Sequence, residues 1–330
     1  MKLRTLGKNG PEISALGIGA MSFANFYGPT SDENSFAILR AALEAGVTHI
    51  DTANLYGKGL SEKIIGDWFA ANPGSRAEMT LATKAGNTGD PERRFNNDPD
   101  YLVNCLEESL TRLKTDYVDL FYIHRYDPTH SIEDVAGTLR RILDSGKAKA
   151  VGLSEVAPGT LRRAVAECPI TAVQSEYSLS TRAPELGLRQ ACREVGAILV
   201  AFSPLGRSFL TDAPFSLERA QSHNFTKGNP RFQQPNYGLN ISKTNEFRAL
   251  AADMGLPAAS LAIAWLISQG EDVLPIPGTR NVDHLRELLK GAKFGLSSQD
   301  LERIDAALPV GWAYGDRYSY TQWAGPERYS

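Results

Sequence analysis

Cysteine is scarce in this sequence. The 330 residues hold only three, Cys105, Cys168 and Cys192, an odd and scattered set with no CxxC pair. Such usage fits reduced, structural thiols in a cytoplasmic protein rather than a disulfide framework. The five histidines, His49, His124, His130, His223 and His284, contain no HxH or HExxH pair, so a metal-dependent hydrolase is disfavoured and no metal is expected. Long apolar runs are missing. A stretch such as Ala197–Phe202 is far short of the roughly 20 residues that cross a bilayer, so no membrane association is expected. The N-terminus, Met-Lys-Leu-Arg-Thr-Leu-Gly, has no apolar core of a secretory signal. Neither sign of charge dominates: 35 Lys and Arg against 38 Asp and Glu leave −3, which argues against a broad nucleic-acid-binding face.

What the chain does have is ordinary globular composition, 42% hydrophobic and 22% charged, with enough apolar surface to offset chain entropy. At roughly 150 residues per domain its length suggests two domains, but an α/β barrel exceeds that length as one. Short β-rich runs alternate with helical patterns. The runs are Leu16–Met21, Val47–Ile50, Met79–Thr83, Tyr117–Ile123, Ala148–Leu153, one beginning at Ala172, Ile198–Phe202 and Val273–Ile276. Between them, spacings such as Leu102, Leu106, Leu110 and Leu113 predict helices. Ser31 starts one helix, and Gly46, Gly146 and Gly196 stop others. Helices are also expected near Thr244–Met254 and Ala258–Ser268, with Val282–Leu289 the last. The runs read as buried and non-alternating, as parallel strands covered on both faces should be. Eight repeated right-handed crossovers can close into a (β/α)₈ barrel, expected here as one domain over residues 1–330. The alternative, an open doubly wound sheet, would carry a GxGxxG turn after its first strand, and Gly17-Ile18-Gly19-Ala20-Met21-Ser22 lacks the third glycine. Long loops follow the first strand (residues 23–30) and the seventh (205–240). A tail, residues 309–330, is rich in aromatic residues and is expected to wall a substrate pocket.

In such a barrel the chemistry gathers at the C-terminal ends of the strands. Reading those ends gives Asp51, Lys84, His124, Ser154, Gln174 and Ser203, with Tyr56 in the loop after Asp51. Singly, each has a bland reading: a cap, a solvated cation, a rim histidine, a packing tyrosine. Together they make chemical sense. An ammonium beside a phenol favours the phenolate, so the tyrosine can donate a proton to an oxygen gaining negative charge. A neutral imidazole can donate a hydrogen bond to the same oxygen. This is an acid assembly for carbonyl reduction, and it needs a cofactor to provide hydride.

The motifs around these residues resemble those of the aldo-keto reductase superfamily, in family order from about residue 3 to 310. They are Gly46-Val47-Thr48-His49-Ile50-Asp51-Thr52-Ala53 with Tyr56-Gly57, Thr83-Lys84, and Asp119-Leu120-Phe121-Tyr122-Ile123-His124. Val151-Gly152-Leu153-Ser154, Val173-Gln174-Ser175-Glu176-Tyr177-Ser178, Ala201-Phe202-Ser203-Pro204-Leu205-Gly206 and Ile276-Pro277-Gly278-Thr279-Arg280 complete the set. The likeness is to the bacterial, broad-specificity branch. It implies an NADPH/NADP+-dependent barrel enzyme that reversibly reduces an aldehyde or ketone. Tyr56 would be the general acid, tuned by Lys84, which pairs with Asp51, while His124 would orient the carbonyl.

By the same resemblance Ser154 and Gln174 would hold the nicotinamide carboxamide, and Phe202 would stack on its ring. Ser203, Leu205 and Arg207 would lie along the pyrophosphate. Thr279 and Arg280 would hold the 2′-phosphate, for which arginine offers a forked cation. Glu287 would contact the adenine or ribose, and Gly19, Met21, Gly278 and His284 would complete the cofactor surface. Two positions depart from the family pattern. Glu155 stands where asparagine is usual and, being ionised, only accepts hydrogen bonds; it is expected to accept from the carboxamide. Leu288 replaces a second asparagine and cannot bond the adenine.

A redox-silent nicotinamide-binding sensor, like the channel-associated β-subunits of the family, is the runner-up. All four catalytic positions are filled here, which favours the enzyme. Phe23, Tyr27, Tyr126, Phe225, Tyr237, Trp312 and Tyr314 are the expected pocket walls, suited to an apolar or ring-bearing carbonyl compound. The protein is expected to be a monomer or small homo-oligomer.

Overall fold

A computed structural model describes residues 1–329. The chain starts with a hairpin that the sequence pattern does not reveal. Leu3–Thr5 (β1) and Glu12–Ser14 (β2) pair antiparallel, and each is only three residues long. Leu6 and Ile13, at its inner side, are buried in one cluster with Ala82, Leu120, Tyr122, Ala172, Ile198, Val200, Leu274 and Ile276. The hairpin therefore closes the end of the barrel where the strands begin, leaving the other end for chemistry.

The barrel strands are Ile18–Gly19 (β3), His49–Asp51 (β4), Thr80–Ala85 (β5), Leu120–Ile123 (β6), Val151–Ser154 (β7), Ala172–Glu176 (β8), Ile198–Phe202 (β9) and Val273–Pro275 (β10). They form one eight-stranded sheet in sequence order, every adjacent pair parallel. The sheet curls round until the amides of Gly17 and Gly19 donate to the carbonyls of Pro275 and Pro277, each at 3.0 Å. The expected (β/α)₈ barrel is thus the observed fold.

Strand side chains alternate between two cores, as a period of two requires. Leu120, Tyr122, Ile198 and Val200 point into the barrel, whereas Phe121, Ile123, Leu199 and Ala201 join the layer beneath the helices. Gly152 shows how tight the interior is, because a Cβ there would lie 2.5 Å from the Tyr122 ring.

Helix ends follow the local signals. Ser31 and Ser131 accept from the amides of Asn34 and Asp134 and so cap Asp32–Glu44 and Ile132–Asp144, satisfying amides that the helix leaves open. Gly46, Gly146 and Gly196 take positive φ of 81°, 75° and 74°, the left-handed stop that glycine adopts without a Cβ penalty.

Two expectations need correction. Residues 205–240 are not one irregular loop: a short helix spans Leu217–Ser222, and a long one, Asn236–Asp253, begins eight residues before Thr244. Its first turns are rich in poor helix formers, but Asn240 is buried and bonds the carbonyls of Arg231 and Tyr314, so tertiary hydrogen bonds override propensity. Nor does the helical part end with Val282–Leu289. That helix runs to Lys293, and another, Ser298–Ala307, follows behind a Ser297/Asp300 capping box. Only Ile304 of that last helix is buried, so its periodic signal is weak. No single helix among the described residues is long and apolar enough to cross a membrane.

Candidate active site

The open end of the barrel brings together residues from three neighbouring strands. β4 ends at Asp51, β5 carries Lys84 near its end, and His124 follows β6. Tyr56 comes from the loop after β4, where its amide donates to Ala53 and its carbonyl accepts from Ser61. That loop is pinned at its base: Thr52 Oγ1 donates to Ser61 Oγ, which donates to the Ala20 carbonyl, both at 2.8 Å.

Lys84 is fully buried, and its ammonium has three oxygen neighbours. It pairs with Asp51 Oδ1, donates to the Thr52 carbonyl at 2.7 Å, and reaches the Tyr56 hydroxyl at 3.4 Å. Burial works against the charged ammonium, but Asp51 and Tyr56 outweigh it and hold the Lys84 pKa above its ordinary value. Lys84 therefore stays cationic at neutral pH despite its depth. The other oxygen of Asp51 accepts from Gln174 Nε2 at 2.8 Å, which links the carboxylate to β8. Below the pair lies Tyr122, with Lys84 Nζ 5.8 Å from its ring and its hydroxyl sealed without a partner.

The His124 ring stands edge-on to Tyr56, with centroids 5.8 Å apart. Burial, then Arg125 and Lys84, push its pKa well below the ordinary histidine range, so the ring is neutral. Its Nδ1 is sealed from solvent without a protein partner. Arg125 folds back to donate to the His124 carbonyl at 2.6 Å and to Ser154 Oγ at 3.2 Å. A buried cation, a hydroxyl within its reach and a neutral imidazole beside them can together supply a proton and a hydrogen bond to an oxygen that gains charge.

The positions assigned to a dinucleotide ring this site. Ser154 and Gln174 are buried register partners on β7 and β8. Phe202 closes β9 with a half-buried ring, and Ser203 follows with φ of 50°. Met21 is half-buried in the turn Ala20–Ala24, and Leu205 packs against the core. Gly19 and Gly278 lie backbone to backbone. A Cβ on Gly278 would come within 2.9 Å of the Gly19 carbonyl. Thr279 is buried, its carbonyl held by Ser22 Oγ. Arg280 donates to the Pro29 carbonyl at 2.8 Å. His284 is exposed and Glu287 half-buried, while Leu288 is buried in the core.

Two assigned residues are engaged elsewhere. Glu155 has its carboxylate turned toward the C-terminal tail, where Arg317 Nη2 lies 2.5 Å from Oε2. Ser175 Oγ and the Glu176 amide donate to Oε1 at 3.0 and 2.8 Å, so three internal donors set the direction of this side chain. Arg207, expected along a pyrophosphate, pairs instead with buried Glu176 at 2.5 Å and donates to the Arg317 carbonyl at 2.8 Å. The pairing partners lie far away in sequence, which is why the local motif does not reveal them.

The expected pocket aromatics divide. Tyr27 stacks on His223 and Phe225 meets the Tyr318 ring edge-on, with Phe26 adjoining both Tyr27 and Phe225. Phe23 and Trp312 belong to the core, and Trp312 Nε1 donates to the Leu179 carbonyl. Tyr126 and Tyr237 are half-buried with their hydroxyls bonded to the carbonyls of His130 and Phe215. Tyr314 is exposed. Arg125 and Arg317 are residues that sequence reasoning missed. Arg125 directly follows a strand-end histidine, a usable signal, but Arg317 carries none.

Comparison with known proteins agrees with this geometry. The aldo/keto reductase family profile matches residues 15–309. The chain is 38% identical to the NADP(+) aldo-keto reductase yakc of Schizosaccharomyces pombe, covering 93% of this chain and 92% of that one. It is also 38% identical to probable aldo-keto reductase 1 of Glycine max, over 95% and 90% of the two chains. Among solved structures it superposes on the glycerol dehydrogenase of Gluconobacter oxydans with a TM-score of 0.80 at 26% identity, over 93% and 94% of the chains. A thermostable aldo-keto reductase bound to the inhibitor epalrestat gives 0.74 at 28%, over 93% and 100%. The chain therefore belongs to the aldo/keto reductase family and is an oxidoreductase of carbonyl compounds.

Proposed function

We propose that the protein reduces an aldehyde or ketone to an alcohol, reversibly, with NADPH as partner and Tyr56 as the acid. The observation that carries this reading is the placement of the Lys84 ammonium between Asp51 and the Tyr56 hydroxyl, beside a neutral histidine.

The residues present fit a dinucleotide phosphate. The Gly19–Gly278 contact leaves a shallow backbone cradle that a Cβ would fill. Arg280 lies at its edge, its only side-chain hydrogen bond among the described residues going to a carbonyl. Ser154 and Gln174 offer polar groups at the inner end. The NADP(+) label of the yeast relative points the same way. When bound, the cofactor supplies the hydride.

The chain's own groups do the rest. His124 donates a hydrogen bond to the carbonyl oxygen, and Tyr56 gives that oxygen its proton as the carbonyl carbon is reduced. Lys84 steadies the tyrosinate left behind, because an ammonium beside a phenolate lowers the cost of losing the proton. Asp51 keeps Lys84 charged and placed. The gathering of Tyr27, Phe225 and Tyr318 near the mouth supports an apolar or ring-bearing substrate. We place the protein in the cytoplasm, acting alone or as a small homo-oligomer.

Mixing the NADPH-loaded protein with a panel of aldehydes and ketones in a stopped-flow instrument tests this reading. Rapid oxidation by at least one carbonyl compound is expected. Uniformly negligible oxidation would instead favour a nicotinamide-binding sensor.

A further inference from the structure

The C-terminal tail carries an arginine into the barrel mouth. Arg317 is 5% exposed. Its Nη2 pairs with Glu155 at 2.5 Å and its Nη1 lies 3.5 Å from Glu176. Its guanidinium lies against both Tyr318 and Trp323, 4.6 and 4.7 Å from their ring centroids. Its carbonyl accepts from Arg207 at 2.8 Å and from Asn229 at 2.5 Å. The cluster holds two carboxylates, Glu155 and Glu176, against three guanidinia, those of Arg207, Arg231 and Arg317.

A second anchor lies ten residues on. The Glu327 amide donates to the Glu155 carbonyl at 2.9 Å. The Glu327 carboxylate accepts from the Ala157 amide and Thr160 Oγ1 at 2.7 and 2.9 Å, at the start of the helix Pro158–Glu167. The tail thus grips Glu155 through both its side chain and its backbone.

Glu155 is well placed to pass that grip on. It directly follows Ser154, its amide donates to the Gln174 carbonyl, and it has a positive φ of 58°, a conformation that a non-glycine residue keeps only when its surroundings enforce it. Glu176 lies two residues beyond Gln174. The two acids that Arg317 holds therefore flank the two side chains read as carboxamide holders. Gln174 in turn bonds Asp51.

We propose that Arg317 is a positioning residue for the nicotinamide end of the cofactor site: by holding Glu155 and Glu176 it keeps Ser154 and Gln174 in register across β7 and β8. Glu155 is then the tail's anchor rather than a ligand of the cofactor. Without Arg317 the Glu155 carboxylate loses its buried countercharge, and burying an unpaired charge is costly. The segment relaxes toward water and takes Ser154 with it. Thr279 and Arg280, read as the holders of the 2′-phosphate, bond Ser22 and the Pro29 carbonyl and, among the described residues, share no hydrogen bond with this cluster. The inference rests on the NADPH reading above.

Two ligands separate the ends: NADPH, and 2′,5′-ADP, which has the adenosine and 2′-phosphate but no nicotinamide. Dissociation constants are measured by titration calorimetry for the unmodified protein and for R317M, R317K and E155Q. For R317M we expect NADPH to weaken about tenfold or more, as losing a charge-assisted hydrogen bond implies. Binding of 2′,5′-ADP should stay within about twofold. R317K should recover part of the NADPH loss, and E155Q should resemble R317M in direction. R317K and E155Q, the milder changes, carry the comparison if R317M does not fold. Equal losses for both ligands, or no loss for NADPH, would overturn the inference. An unmodified protein that binds 2′,5′-ADP but not NADPH, or binds neither, would overturn the cofactor reading and the inference with it.

Discussion

Lys84 offers the clearest separation of stability from chemistry. The side chain is fully buried, and Asp51, its partner, is 1% exposed. In K84M the Asp51 carboxylate keeps only its bond from Gln174 and remains out of water. Breaking a buried pair by removing one partner costs about 3–5 kcal/mol, because the remaining charge is uncompensated. Removing both charges while keeping the shapes avoids that cost. In D51N/K84M the amide at position 51 can still accept from Gln174, so stability should return to within about 1–2 kcal/mol of the unmodified protein. On the proposed mechanism activity should not return, because the ammonium beside the Tyr56 hydroxyl is absent from both variants. General acid assistance is typically worth about 10²–10⁴-fold, and the double variant should remain low by that order.

The assay has two arms, urea unfolding for stability and NADPH oxidation by the best aldehyde for chemistry. A K84M penalty below about 1 kcal/mol, the range of an exposed pair, would refute the burial argument. So would a double variant no more stable than the single one. Recovery of turnover in the double variant would refute the role of Lys84. The pH dependence has a definite sign. Because the folded Lys84 pKa is raised, its contribution is complete below the unfolded value of about 10.4 and disappears as pH rises through the folded one.

Y56F should nearly abolish turnover while leaving NADPH binding by fluorescence intact; near-normal turnover would remove Tyr56 from the acid role, and lost binding would make its role structural. R280A should lower kcat/KM for NADPH far more than for NADH, and equal effects on the two would show that Arg280 does not read the 2′-phosphate. His49 is fully buried, and burial pushes its pKa down to about 4. Its neutral form therefore favours folding above the unfolded value of about 6.5, and up to about 3 kcal/mol is lost as pH falls from there through 4. In H49L the decline in stability between pH 6.5 and 4 should be shallower by that share, and an unchanged slope would show that His49 is not buried neutral.

Much of the barrel was legible because its signals are local. An apolar run of four to six residues, a polar residue at its end and a glycine stop before it reflect strand burial, the rim and the helix C-cap respectively. Asp51, Lys84 and His124 could be assembled from three separate strands because parallel strands in sequence order put their ends on one rim. Tyr56 followed as the hydroxyl in the next loop, within reach of Lys84. The hairpin Leu3–Ser14 was not legible, since three-residue strands carry too few side chains for an alternation to register. The helix from Asn236 was hidden because its first turns are held by Asn240 bonding to residues in other segments, which no local periodicity reports.

The assignment of Glu155 and Arg207 shows a different limit. A motif fixes where a backbone passes, but a charged side chain follows its strongest nearby field. Arg317 is 162 positions from Glu155 and belongs to no motif, yet it determines where that carboxylate points. Glu176, 31 positions before Arg207, does the same for the guanidinium. The charge that matters at the mouth is consequently not the sum of the arginines the motifs suggest. Arg207 is tied up in a buried pair with Glu176, whereas Arg280 rests on a carbonyl and feels Arg219 rather than an acid. With a net charge of −3 the chain as a whole does not attract an anion. The salt dependence of binding a nucleotide phosphate should therefore fall on Arg280, since an ion pair at a half-exposed cation is screened while a buried internal pair is much less so.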